Sequence, residues 1–256
     1  MSAPILSLDK MGIRFGGLRA VSELDLNLEA GALHGLIGPN GAGKTTVFNL
    51  ITGIYQPTEG DIRLEGATIV GAAPHVIASR GIGRTFQNIR LFAGMSVLDN
   101  VKVAFSRHTR AGLLESVLRL PRHVMDELQI HEEAERLLDA FGLLAASQLG
   151  ADQLPYGMRR RLEIARALAT KPRLLLLDEP AAGMNPSEAT ELMHLIRWVR
   201  DTFGVTILLI EHHMAVVMGI CERITVLDHG VRIAEGTPAE IRSDAKVIEA
   251  YLGAGA

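Results

Sequence analysis

Only one cysteine, Cys221, occurs in the 256 residues, so no internal disulfide can form. A lone thiol reads as a small buried hydrophobe, and such usage fits a reducing compartment. Excess charge of either sign is also missing, since 26 basic and 29 acidic residues leave a formal charge of −3. That balance provides no basic field for nucleic acid or for an anionic membrane. Apolar runs stop well short of the roughly 18 residues that span a bilayer. The longest, such as 174–177 and 207–210, have strand length. Asp9 and Lys10 follow the short N-terminal apolar stretch closely, unlike a signal peptide. Repeats, low-complexity linkers and long heptad stretches are lacking too. The expectation is a soluble protein whose membrane role, if any, runs through a partner.

What is present suits one large α/β domain, or such a core carrying an inserted subdomain, given 48% hydrophobic residues. Leu24, Leu26 and Leu28 alternate with Asp25 and Asn27, the pattern of a half-buried strand. Residues 32–37 read as a buried strand entering a glycine-rich loop, after which 47–51 begin a helix. Residues 173–177 and 206–210 are apolar runs typical of central parallel strands. Between them, 187–201 has helical spacing. Asn185, Pro186 and Glu188 stand where an N-cap, a first-turn proline and a capping acid belong. Strand, helix, strand in this order predicts a βαβ unit. From about 92 to 149 the period turns helical, with Ala134, Leu137, Leu138 and Phe141 on one face, and strand signals are few. Residues 224–227 and 231–234 flank Asp228-His229-Gly230, a hairpin signal, and 238–252 read as short helices.

Gly38-Pro39-Asn40-Gly41-Ala42-Gly43-Lys44-Thr45 follows the phosphate-loop pattern, with Thr46 behind it. Its glycines let the backbone curl until several N–H groups face one anion, and the following helix adds its positive end. Lys44 is then expected to reach the β- and γ-phosphates, and Thr45 to hold Mg²⁺. The run 174–177 ends in Asp178-Glu179. A buried strand ending in Asp178 can deliver a carboxylate to the magnesium shell. Glu179, one residue on, is placed to polarise a water against the γ-phosphate. An apolar strand ending in two acids is commonplace by itself; beside a phosphate loop it is not.

With these residues in place, nearly the whole chain resembles the ABC ATPases. The resemblance implies a RecA-like phosphate-loop core with an antiparallel β subdomain and an inserted helical subdomain. The core is expected over 1–91 and 160–256, and the insert, carrying the signature, over 92–159. Gln87, in Thr-Phe-Gln-Asn, matches the Q-loop glutamine, which senses Mg²⁺ and the attacking water. His212, in Ile-Glu-His-His, matches the switch histidine at the γ-phosphate. Phe15 stands where the family's aromatic stacks on adenine, its alternative being a core phenylalanine. Leu154-Pro155-Tyr156-Gly157-Met158 resembles the ABC signature, which contacts the partner's ATP. It departs from Leu-Ser-Gly-Gly-Gln: Pro155 lacks the serine hydroxyl, Tyr156 replaces a glycine and Met158 the glutamine. Gly157 and the helix N-terminus remain, so backbone N–H donation can survive. Asn185 also stands where the family usually has aspartate.

Within that family the chain is most similar to the larger ATPase subunit of branched-chain amino-acid importers. Gly83-Arg-Thr-Phe-Gln-Asn-Ile-Arg-Leu-Phe92, Arg160-Arg-Leu-Glu-Ile-Ala-Arg166, Asp178-Glu-Pro-Ala-Ala-Gly-Met-Asn-Pro186 and Ala250-Tyr-Leu-Gly253 carry this likeness. Residues 106–121 are less specific. The resemblance implies ATP and Mg²⁺ as cofactors, with Lys44, Gln87, Glu179 and His212 catalytic and Thr45, Gln87 and Asp178 holding the metal. It implies a second ABC ATPase subunit as partner in a heterodimer, two integral membrane permeases and, indirectly, a periplasmic binding protein, with no nucleic acid. The location implied is the cytoplasmic face of the membrane. Rival readings are an ATPase for urea, amides or another small solute, and a nucleotide-dependent regulatory module that barely hydrolyses.

Overall fold

The structure, a computed structural model, describes residues 4–105 and 121–252. In chain order the elements are β1 (Leu6–Phe15), β2 (Leu18–Leu28), β3 (Leu33–Ile37), α1 (Lys44–Ile51), β4 (Glu59–Leu64), β5 (Ala67–Thr68), α2 (Pro74–Ser79) and β6 (Ile82–Arg84). Then come α3 (Val97–Phe105), α4 (Pro121–Ala140), α5 (Tyr156–Ala169), β7 (Leu174–Asp178), α6 (Pro186–Phe203), β8 (Thr206–Ile210) and α7 (Met214–Ile220). The chain closes with β9 (Arg223–Asp228), β10 (Val231–Gly236), α8 (Pro238–Ser243) and α9 (Ala245–Leu252). They fall into two compact units, Met1–Gln87 with Arg173–Ala256, and Asn88–Pro172.

The first unit holds two sheets. One is antiparallel, in the order β2-β1-β4-β5; the other runs β10-β9-β3-β8-β7-β6. In the second sheet β9, β3, β8, β7 and β6 pair in parallel, with β10 antiparallel at the edge. Strands β3, β7 and β8 are buried at every position. That is why they read as unbroken apolar runs: a parallel strand covered on both faces has no solvent side to alternate with. The predicted βαβ unit is β7-α6-β8. Asn185 caps α6, its side chain accepting from Glu188 N at 3.0 Å, while the Glu188 carboxylate accepts from Asn185 N at 2.9 Å. Gly204, at φ 62°, ends that helix. The hairpin β9–β10 turns on His229 and Gly230, at φ 45° and 79°. Two consecutive left-handed residues give the turn whose twist matches the flanking strands.

Phe48, Leu50 and Ile51 on α1 pack in one core with Leu6, Leu24 and Leu26 of the antiparallel sheet and Leu36, Leu176 and Leu208 of the parallel one. Across the parallel sheet Leu36 aligns with Ile210, and Ile210 with Asp178. The C-terminal ends of β3, β7 and β8 therefore share one edge. Gly38, Glu179 and Glu211 each follow one of those ends, at the edge where open α/β sheets bind ligands.

The second unit is helical among its described residues. Ala134, Leu137, Leu138 and Phe141 are all buried, as their common face predicted. Asn100 is fully buried; its amide donates to Phe92 O at 3.1 Å and Ser96 O at 3.0 Å and accepts from Phe92 N at 2.9 Å. By packing, the two units divide at 87/88 and 172/173, where the sequence expectation stood at 91/92 and 159/160. A break at 159/160 would cut α5, which is continuous and packs on α3 and α4 within this unit.

Cys221 is buried, and burial pushes its thiol up to about 12, so it is an inert packing group. His34 on β3 is buried with Nε2 2.8 Å from Thr225 Oγ1. Burial lowers its pKa from 6.5 to about 4, with Glu235 opposing and Arg223 adding to the fall. A depressed histidine is neutral in the fold and binds a proton more readily once unfolded. Its contribution is full above about pH 6.5 and is lost as pH falls toward about 4. The loss amounts to about 3 kcal/mol. In urea titrations across that window, His34→Gln is expected to lose less stability than the parent; identical losses would contradict this role.

Candidate functional site

The loop between β3 and α1 owes its shape to residues without side chains. Gly38 sits at φ 150°, and a Cβ there would lie 2.0 Å from Leu227 O. Gly43 sits at φ 101°, and a Cβ there would lie 2.6 Å from Ala20 O. Both positions combine backbone that other residues avoid with a wall of main chain, so only glycine serves. The loop delivers the chain into α1, whose first residue is Lys44. Lys44 is buried, and its Nζ donates to Gly38 O at 2.7 Å and Pro39 O at 2.9 Å. Burial lowers its pKa, while Glu179 and Asp178 pull the other way. A partly desolvated ammonium at the start of a helix, where first-turn N–H groups have no intrahelical partner, suits an anion. Thr45 is exposed on the same first turn.

Asp178 ends β7 and is buried. Its Oδ2 accepts from Arg84 Nη2 at 2.9 Å. Arg84 Nη1 donates in turn to Asn49 Oδ1 at 2.8 Å and Thr52 Oγ1 at 3.1 Å on and just beyond α1. Its guanidinium lies 5.5 Å from the Phe48 ring and 5.0 Å from that of Phe86. Arg84 thus ties the buried carboxylate to the helix carrying Lys44. Sequence reasoning assigned it nothing beyond its place before Thr85-Phe86-Gln87. The available signal, a cation closing a short buried strand, names no partner.

Glu179 adopts φ 46°, a left-handed conformation that costs a non-glycine residue about 1–3 kcal/mol. Its N–H donates to Ile210 O at 2.9 Å. Its Oε2 accepts from Gln87 Nε2 at 2.7 Å and lies 3.6 Å from His212 Nδ1. Gln87 and His212, picked from separate stretches of sequence, therefore converge on the Glu179 carboxylate.

Phe15 ends β1 and is 44% exposed, with its ring edge-on to Tyr55 at 5.1 Å. The core alternative is thereby removed, and Tyr55 is an aromatic neighbour that sequence reasoning missed. In the helical unit, Pro155 is the N-cap of α5 and supplies no side-chain cap. Tyr156, Gly157 and Met158 form the helix's first turn, where backbone N–H groups are left over. Arg160 and Glu163, one turn in, form a fully buried pair at 2.7 Å. Asn185 keeps the capping acceptor of the aspartate it replaces.

A family model described as ABC transporter matches residues 21–182. The chain belongs to the ABC transporter family. A second model, described as branched-chain amino acid ATP-binding cassette transporter, matches residues 231–256 of this ABC ATPase. Among curated relatives, the high-affinity branched-chain amino acid transport ATP-binding protein BraF of Pseudomonas aeruginosa is 47% identical, over 99% of each chain. LivG of Escherichia coli K12, described in the same words, is also 47% identical over 99% of each. The lipopolysaccharide export system ATP-binding protein LptB of Escherichia coli K12 is 35% identical over 97% of each. Among solved structures, the ADP conformation of an ATP-binding cassette of an ABC transporter superposes with a TM-score of 0.84 at 30% identity, covering 98% of this chain and 99% of that one. The ABC ATPase binds and hydrolyses ATP in support of transport. Among its described residues, no helix is long and apolar enough to cross a membrane.

Proposed function

We propose that this ABC ATPase drives import of branched-chain amino acids through separate membrane subunits. The observation that carries the cargo is the match of residues 231–256 to the branched-chain family model, in a segment outside the general ABC match. The nearly end-to-end likeness to BraF and LivG supports it.

In the proposed mechanism the loop N–H groups and Lys44 hold the β- and γ-phosphates, and Phe15 stacks on adenine. Glu179 orients a water for in-line attack, and His212 reads the γ-phosphate. Gln87, hydrogen-bonded to Glu179, holds that carboxylate toward the water. Mg²⁺ fits the donors at hand: the Thr45 hydroxyl, the Asp178 carboxylate and the Gln87 amide oxygen are hard oxygens, and one carboxylate with phosphates suits that ion. When bound, it offsets charge on the phosphate oxygens. Phosphoryl transfer needs positioning and charge more than covalent help, so this set of groups suffices.

The partner reading follows from the signature. In a face-to-face dimer each ATP lies between one chain's phosphate loop and the other's signature. A homodimer puts Pro155 against both γ-phosphates. A heterodimer with a chain bearing Leu-Ser-Gly-Gly-Gln makes one strong and one weak site. The complex with a second ATPase and two permeases is therefore expected to take up leucine, isoleucine and valine into proteoliposomes. Mutating the catalytic glutamate of each ATPase separately is expected to give unequal losses. Uptake of urea or amides instead would overturn the cargo, equal losses the inequality, and full uptake without a second ATPase the heterodimer.

A further inference from the structure

Glu211 is fully buried at the end of β8, and the catalytic scheme does not use it. Its carboxylate spends both oxygens on backbone donors. Oε1 accepts from Ala181 N at 2.6 Å. Oε2 accepts from His212 N at 3.1 Å and His213 N at 3.3 Å. Ala181 is also fully buried and lies two residues beyond Glu179. One side chain therefore clasps two loops, that leaving β7 with Glu179 and that leaving β8 with His212. These are the loops whose side chains meet at 3.6 Å. Several N–H donors directed at one carboxylate disperse its charge where water is excluded, and the bond from Ala181 N, at 2.6 Å, is the short one of the three.

We propose that Glu211 is a positioning residue that couples the loop after Glu179 to the switch histidine, so that a displacement of Ala181 is felt at His212. The physical basis is the two-oxygen fork. Each loop occupies one oxygen, and a shift of either turns the carboxylate beneath the other. A neutral isostere breaks this coupling. In Glu211→Gln one oxygen becomes an NH₂ donor, so either Ala181 or the His212–His213 pair faces N–H against N–H and lets go.

The inference rests on the roles proposed for Glu179 and His212, and the experiment separates the two. Glu211→Gln, in the complex with its second ATPase and permeases, is compared with the parent by ATP equilibrium binding, ATP turnover, thermal melting and backbone amide exchange. The expected result is an ATP Kd within about twofold and a kcat lower by about 10- to 10²-fold, the scale of a small misplacement of reacting groups. Exchange is expected to quicken at Ala181 or at His212 and His213. Unchanged exchange at all three amides would overturn the clasp itself. Quickened exchange with unchanged kcat would overturn its link to catalysis, leaving the site assignments standing. Parallel losses of Kd, kcat and melting temperature would reduce Glu211 to a fold-stabilising residue and overturn the proposal too.

Discussion

Glu179→Gln is expected to lower ATP turnover in the assembled transporter by about 10²–10⁴-fold, the range of a positioned general base. ATP is expected to stay bound. The substitution keeps the shape of the side chain and removes the charge that polarises water. Its surroundings explain why binding survives: the carboxylate lies between Gln87, at 2.7 Å, and His212, at 3.6 Å. A glutamine can still accept from Gln87 through its remaining oxygen. The left-handed backbone at φ 46° is set by the turn after β7 and by the bond from Glu179 N to Ile210 O, neither of which depends on the carboxylate. Single-turnover hydrolysis and retention of labelled ATP check both halves of this expectation. Turnover equal to the parent's would place water activation on another group.

Lys44→Ala is expected to act on the opposite side of the cycle, weakening ATP binding and abolishing transport. A charge-assisted hydrogen bond contributes about 1.5–3 kcal/mol, so losing one weakens binding by about 10- to 10²-fold. Lys44 Nζ lies over Gly38 O and Pro39 O, and burial already disfavours its charge. An anion that offsets the charge is therefore favoured beyond simple proximity. The fold should persist, because the loop's course is set by Gly38 and Gly43 and its anchor in the core is Phe48, a turn further on. Equilibrium ATP binding, with circular dichroism as the check on folding, decides the matter; near-parental affinity would remove Lys44 from the site.

What the chain makes legible by itself is local. Gly38 and Gly43 announce a loop because the backbone there tolerates no Cβ. Asn185, Pro186 and Glu188 announce a helix start because the cap is satisfied within three residues. Buried β7 and β8 stand out because a strand covered on both faces is apolar throughout. β1 was not legible, and the reason is equally physical. Lys10 sits at φ 45° and the pairing with β2 shifts register after Leu8. Burial therefore moves from Leu6 and Leu8 to Met11 and Ile13, breaking the period-2 pattern that marks a strand. The packing limit after Pro172 differs from the expected 159/160 because α5 runs on past the signature, and a motif's edge is not a packing edge.

Tertiary structure alone decided which residues hold the catalytic groups in place. Arg84 meets Asp178 across 94 positions because β6 pairs with β7. Glu211 reaches Ala181 across 30 because β7 pairs with β8. An arginine after a short apolar stretch and a glutamate before two histidines carry no sign of such partners in the linear order. The lateral pairing of parallel strands sets those distances, and it is a property of the sheet rather than of any one segment.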